Sequence, residues 1–127
     1  MPATVVDASA IAAVLFDEPE AQPIVASITG KLIAPTLLRY QLASVCTTKL
    51  IRQPARAAEI HARYKLLDKL DIGYFEPDWL PLPMLARRWA LSAYDAAYLQ
   101  LALAAGSALI TLDARLAAAW DGAAAAG

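Results

Sequence analysis

Three aspartates stand where chemistry could occur: Asp7, Asp95 and Asp113. Asp7 directly follows the β-branched run Thr4-Val5-Val6, and Asp113 closely follows Ala108-Leu109-Ile110-Thr111. Asp95 lies in Ser92-Ala93-Tyr94-Asp95, at the opening of a helical stretch. In open sheets of parallel strands, ligands sit beyond the carboxyl ends of the strands. That rule would bring all three carboxylates to one edge. They would repel one another there unless a cation sat between them or one took up a proton. Oxygen-only donors suit a hard ion such as Mg²⁺ or Mn²⁺. Such a site suits phosphodiester hydrolysis, which then needs no covalent nucleophile.

Each aspartate also has an ordinary structural reading. Asp7 and Asp113 could be helix N-caps, accepting from the orphan amides of the next turn. Ser92 and Asp95 have the spacing of a capping box. Other chemistries find less support. There is no G-x-S-x-G and no glycine-rich phosphate loop. His61, the one histidine, falls inside an apolar helical pattern, and Cys46 sits mid-helix as a small core residue. One Cys and one His leave zinc without a ligand set. A phosphatase-like site would place a second aspartate two residues after the first, where Ser9 stands.

The elements that must position these residues follow from periodicity and punctuation. Strands are expected at Thr4–Val6, Leu32–Ala34, Ile72–Phe75 and Ala108–Thr111. Helices are expected over Ala8–Phe16, from Glu18-Pro19-Glu20, and over Leu37–Ile51 behind Thr36 as N-cap. Further helices start at Pro54, run over roughly Met84–Leu91 and Tyr94–Ala105, and end with Arg115–Trp120. Gly106 should stop the sixth of these, and residues 122–127 read as a frayed tail. Short strands alternating with helices predict an α/β fold, a parallel sheet covered on both faces. Residues 1–127 read as a single domain, with no repeat or linker. The apolar stretches around Trp79 and Trp89 are candidates for burying a second copy.

With 59% hydrophobic and 18% charged residues, the composition excludes disorder. The longest apolar stretch, Ala96–Leu112, is interrupted by Gln100, Gly106 and Ser107, short of the roughly 18–20 residues a membrane span needs. No leader pattern opens the chain and there is one cysteine, so the cytoplasm is the expected location. A net charge of −1 lends no global support to nucleic-acid binding. Locally, Lys49, Arg52, Arg56, Arg63, Lys65 and Lys69 form a basic stretch. It is either a solvated helix face or an RNA contact, with Arg52 and Arg56 as the candidate RNA-binding residues.

Four segments then acquire meaning together: Val5-Val6-Asp7-Ala8-Ser9-Ala10, Ala34-Pro35-Thr36-Leu37-Leu38-Arg39-Tyr40, Tyr94-Asp95-Ala96-Ala97-Tyr98-Leu99 and Ile110-Thr111-Leu112-Asp113-Ala114-Arg115-Leu116. In this order they resemble the successive motifs of PIN-domain proteins, in particular VapC-type toxin ribonucleases of toxin–antitoxin pairs. The resemblance implies a PIN-like three-layer sandwich, with a short parallel sheet of about four or five strands flanked by helices. It implies a metal-dependent endoribonuclease using Mg²⁺ or Mn²⁺. Asp7, Asp95 and Asp113 would be the metal ligands, with Ser9 and Thr111 supporting them by hydrogen bonds. It also implies an RNA substrate, a homodimer and a cognate antitoxin whose tail occupies the active-site groove, with no membrane involved.

The chain departs from that pattern at Gln41, where the family normally carries a glutamate. An amide carbonyl can accept hydrogen bonds or bind a metal weakly, but it brings no charge and cannot act as a general base. Gln41 is then a natural replacement with weaker metal binding, the mark of a catalytically inactive PIN-fold module that engages an antitoxin or RNA without cutting, or an introduced inactivating change. The plain structural alternative is a polar residue at the core boundary.

Overall fold

The computed structural model describes residues 2–126. Its first strand, β1 (Ala3–Val6), is built from the β-branched run, which suits a pleated surface. Successive strand residues face opposite sides of a sheet. Val5 and Val6 are both fully shielded from solvent, so both faces of β1 are covered. β2 (Lys31–Pro35), β3 (Ile72–Phe75) and β4 (Ala108–Ile110) complete a parallel sheet in the order β3-β2-β1-β4.

Helices fill every crossover. α1 (Ala8–Leu15) and α2 (Ala21–Ser27) join β1 to β2, and α3 (Leu38–Arg52) and α4 (Ala57–Lys65) join β2 to β3. α5 (Leu82–Trp89) and α6 (Ala93–Ala105) lead to β4, and α7 (Ala114–Ala126) follows it. The chain therefore builds outward from β1 to β3, then returns to the opposite side of β1. That reversal opens a topological switch point between β1 and β4 at their carboxyl ends. The backbone N–H of Asp7 donates to Ile110 O at 3.2 Å there.

α6 is the helix that closes the core. Ala96, Ala97, Tyr98, Leu99 and Ala102 are all buried on it, and the alanines let it lie close against β1, β2 and β4. Burying a leucine such as Leu99 contributes about 1.5–3 kcal/mol. The helix ends where Gly106 turns left-handed at φ +60°, with open space beside it. The requirement there is conformational, not one of packing.

Several local expectations are corrected by tertiary partners. Residues 17–20 form a turn instead of opening α2, with Asp17 at φ +53° and the Glu18 amide donating back to Ala13 O at 2.9 Å. Thr36 does not cap α3; its N–H donates to Phe75 O and its hydroxyl to Glu76, at 3.0 and 2.9 Å. The neighbouring strand outcompetes the local cap. α5 begins at Leu82, because Pro83 fits its first turn without losing a needed N–H. Over residues 122–126 the expected fraying is absent, since α7 runs on to Ala126 with Ala123 buried; Gly127 lies outside the described residues. Gly122 serves that helix as a gap, since a Cβ there would lie 2.7 Å from Cζ3 of Trp89. Trp89 thus folds inward, whereas Trp79 stays exposed.

Candidate active site

Asp7 is the residue at which β1 becomes α1. It is 5% exposed, and its Oδ1 accepts from Ala10 N at 3.0 Å and from the Ser9 hydroxyl at 2.7 Å. Its Oδ2 accepts from the Thr111 hydroxyl. Thr111 and Ser9 in turn accept from Asp113 N and Leu112 N, each at 2.9 Å. The two hydroxyls thereby stitch the end of β1 to the loop after β4. Asp113 caps α7, with Oδ1 accepting from Arg115 N at 2.8 Å and Leu116 N at 3.0 Å. Its Oδ2 has no hydrogen-bond donor among the described residues. Capping and membership of a common crevice are therefore compatible, because each carboxylate has more acceptor sites than its cap uses.

Asp95 comes from the first turn of α6. Ser92 caps that helix, its Oγ accepting from Asp95 N at 3.1 Å, which is one half of the expected capping box. Burial raises the Asp95 carboxyl above its ordinary range, the charges of Asp113 and Asp7 raise it further, and the Ser92 hydroxyl pulls it back. Asp95 therefore feels the charges of both other aspartates across the switch point. Among the described residues none of them is ion-paired to a lysine or arginine.

One residue in this region had no role in the sequence reading. Tyr98 lies one helical turn beyond Asp95, is 1% exposed, and donates its hydroxyl to Gln41 Oε1 at 2.6 Å. Burial, with the negative charges of Asp7 and Asp95, pushes its phenol far above the ordinary range, so it stays protonated. A tyrosine among alanines and leucines, on the same helical face as a candidate carboxylate, was the available signal, since a buried phenol needs a partner.

In chemistry the donor set fits a hard dication: oxygen ligands only, and like charges with no basic side chain to offset them. In spacing the set is open. Among the described residues no group of three His, Cys, Asp or Glu side chains lies close enough to hold one ion.

The electrostatics make a pH prediction. Because the folded pKa of Asp95 lies above its unfolded value, the folded chain holds the extra proton between the two. Stability contributed at this site is present at low pH and is lost as pH rises through the folded pKa. In EDTA, the melting temperature of Asp95→Asn minus that of the parent should grow as pH rises from about 4 to about 7. Thermal melts across that range test it; a flat difference would remove Asp95 from the shared field.

Comparison with known proteins assigns the family. The PIN-domain family profile matches residues 4–120, nearly the whole chain. A VapC ribonuclease of Mycobacterium bovis and ribonuclease VapC9 of Mycobacterium tuberculosis are each 34% identical over 118 residues, 88% of this chain and 87% of theirs. The chain belongs to the PIN-domain family and is of the VapC type.

Two solved structures share this PIN fold. PAE2754 from Pyrobaculum aerophilum superposes with a TM-score of 0.76 at 24% identity, covering 95% of this chain and 81% of its own. Mycobacterium tuberculosis VapC20, described as a sarcin-ricin loop cleaving toxin, gives a TM-score of 0.62 at 19% identity, covering 91% and 94%.

Other residues singled out in the sequence lie elsewhere on this PIN domain. Arg52 ends α3, eleven residues from Gln41, or about 16 Å along the helix axis. Arg56 is already engaged, with Glu59 at 3.0 Å and Gln53 at 2.7 Å. Lys49 pairs with Glu18 at 3.3 Å and Arg63 with Glu59 at 3.7 Å, so several charges of the basic stretch are shared with carboxylates. His61 is exposed beside Tyr64, and Cys46 is buried. A groove of about 420 Å³ lies by the starts of α3 and α6, lined by Thr36, Arg39, Tyr40, Glu76, Trp79 and Tyr94 among others.

Proposed function

We propose that this PIN-domain chain is a metal-dependent endoribonuclease toxin that hydrolyses RNA phosphodiester bonds in the crevice between β1 and β4. One observation carries the reading: Asp7 and Asp113 flank the switch point while Asp95 lies within the electrostatic reach of both. Asp7, Asp95 and Asp113 would hold Mg²⁺ or Mn²⁺, whose charge would offset their repulsion. When bound, such an ion supplies Lewis acidity at the phosphate and a more acidic water. Ser9 and Thr111 hold Asp7 in place through their hydroxyls. The names of the Mycobacterium relatives as ribonucleases support the activity.

The exposed rings of Tyr40, Trp79 and Tyr94 support RNA as substrate. They offer stacking faces for unpaired bases beside Gln41 and Asp95. Arg52 and Arg56 would meet the RNA backbone farther along α3. Neutralising them should flatten the salt dependence of RNA binding, by about 0.7 in log–log slope for each phosphate no longer paired with a guanidinium. Arg56→Ala should do less than Arg52→Ala, since its charge is shared with Glu59. Fluorescence anisotropy at several salt concentrations measures the slopes; unchanged slopes place the RNA elsewhere.

The same reading includes a cytoplasmic location, a cognate antitoxin that covers the groove, and a homodimer. Exposed Leu80 and Met84 support the homodimer. Among the described residues no helix is long and apolar enough to cross a membrane. A second function, an inactive module that binds antitoxin or RNA, is favoured by one observation: the Gln41 carbonyl is taken up by Tyr98. Incubating single-stranded RNA with the protein in Mn²⁺, in Mg²⁺ and in EDTA separates them. Cleavage in metal and none in EDTA is the expected result; intact but tightly bound RNA in all three would replace the enzyme with the binding module.

A further inference from the structure

We propose that Tyr98 is a positioning residue: it holds the Gln41 carbonyl, leaving the amide NH₂ to donate to a phosphate oxygen of the RNA, so that Gln41 binds substrate and is not a metal ligand. This rests on the ribonuclease reading. The phenol of Tyr98 is buried, and its proton must go to an acceptor. Among the described residues that acceptor is Gln41 Oε1, at 2.6 Å, and no hydrogen bond joins the hydroxyl to Asp7 or Asp95. Reversing the amide would set an N–H donor against an O–H with nowhere to donate. The phenol therefore selects one orientation of the carboxamide.

An amide has one accepting and one donating end. With the carbonyl committed, the NH₂ is the end left over, and among the described residues it makes no hydrogen bond. Positive partial charge on that group repels a cation and attracts an anion. Gln41 is half-buried, on the helix whose neighbouring residue, Tyr40, lines the groove by the starts of α3 and α6. An RNA phosphate entering the crevice is an anionic acceptor of the right kind, and its negative oxygens make the bond charge-assisted. The metal set is then three carboxylates, with one neutral donor beside them.

The test uses the full chain in four forms: the parent, Gln41→Met, Tyr98→Phe and Asp7→Asn. Mn²⁺ affinity is measured by electron paramagnetic resonance with the metal alone. RNA affinity is measured in EDTA by anisotropy of a fluorescein-labelled single-stranded oligoribonucleotide. Gln41→Met and Tyr98→Phe should keep the parent Mn²⁺ affinity to within about twofold, while Asp7→Asn weakens it at least about tenfold. RNA binding should weaken about tenfold in Gln41→Met and a few-fold in Tyr98→Phe. A fall in Mn²⁺ affinity for Gln41→Met makes Gln41 a ligand and overturns the inference. So does a Tyr98→Phe protein that melts lower but binds RNA as the parent does, which is the mark of a purely structural hydroxyl. If the parent binds no RNA, the ribonuclease reading falls and the phosphate contact falls with it, while the Mn²⁺ arm still decides whether Gln41 touches metal.

Discussion

Replacing Asp7 with asparagine is expected to lower RNA cleavage in saturating Mn²⁺ by about a thousandfold, with only a small change in stability. The site explains why the two effects separate. The asparagine would retain an Oδ1 that can accept from Ala10 N and the Ser9 hydroxyl, so the start of α1 stays capped. The Thr111 hydroxyl loses its charged acceptor, at a cost of about 1–2 kcal/mol. Removing a buried charge that pushes on Asp95 offsets part of that. On the proposed function, what would not survive is one of the three negative charges that hold the metal. Single-turnover cleavage of single-stranded RNA and a thermal melt give the two numbers. A variant that cuts at the parent rate sinks the metal assignment; one that fails to fold makes Asp7 a capping residue first.

Changing Gln41 to glutamate is expected to act in the opposite direction. Tyr98 can donate to one carboxylate oxygen as it now does to the amide carbonyl. The second oxygen then replaces the NH₂, so a repelling donor becomes an anionic ligand. Mn²⁺ affinity should rise at least about tenfold, and cleavage with it wherever metal binding limits the rate. The same substitution adds a fourth negative charge to the crevice, which costs stability when no cation is present. Gln41→Glu should therefore melt below the parent in EDTA and above it in Mn²⁺, since a ligand stabilises more the more tightly it binds. That crossing, measured by paired melts, does not depend on activity. Cleavage that appears from nothing favours the parent as a binding module. A rise over measurable parent activity favours a ribonuclease with weakened metal affinity. No change in melting or in cleavage would show that the residue at 41 does not face the metal.

Much of this architecture was legible in the amino-acid order, and the reason is locality. The β-branched run of β1, the alanine-rich periodicity of α6 and the Gly106 stop are short-range signals, and each became the element it announced. Aspartates at strand ends pointed to one sheet edge through a topological rule, and the parallel order β3-β2-β1-β4 put the switch point between Asp7 and Asp113. Local signals failed where a distant partner outbid them. Thr36 had the chemistry of a cap and was taken by Phe75 and Glu76 on and just beyond the next strand. Gly122 had the look of a helix end and instead makes room for Trp89, thirty-three positions away. The bond between Tyr98 and Gln41 joins residues 57 apart, and no spacing rule connects a helix after β2 with one before β4. Whether the aspartates capped helices or shared a crevice was also beyond the sequence, because both roles ask for the same residue at the same place. Only packing sets where the carboxylates sit relative to one another, and that placement is what brings Asp95 within electrostatic reach of the two capping aspartates.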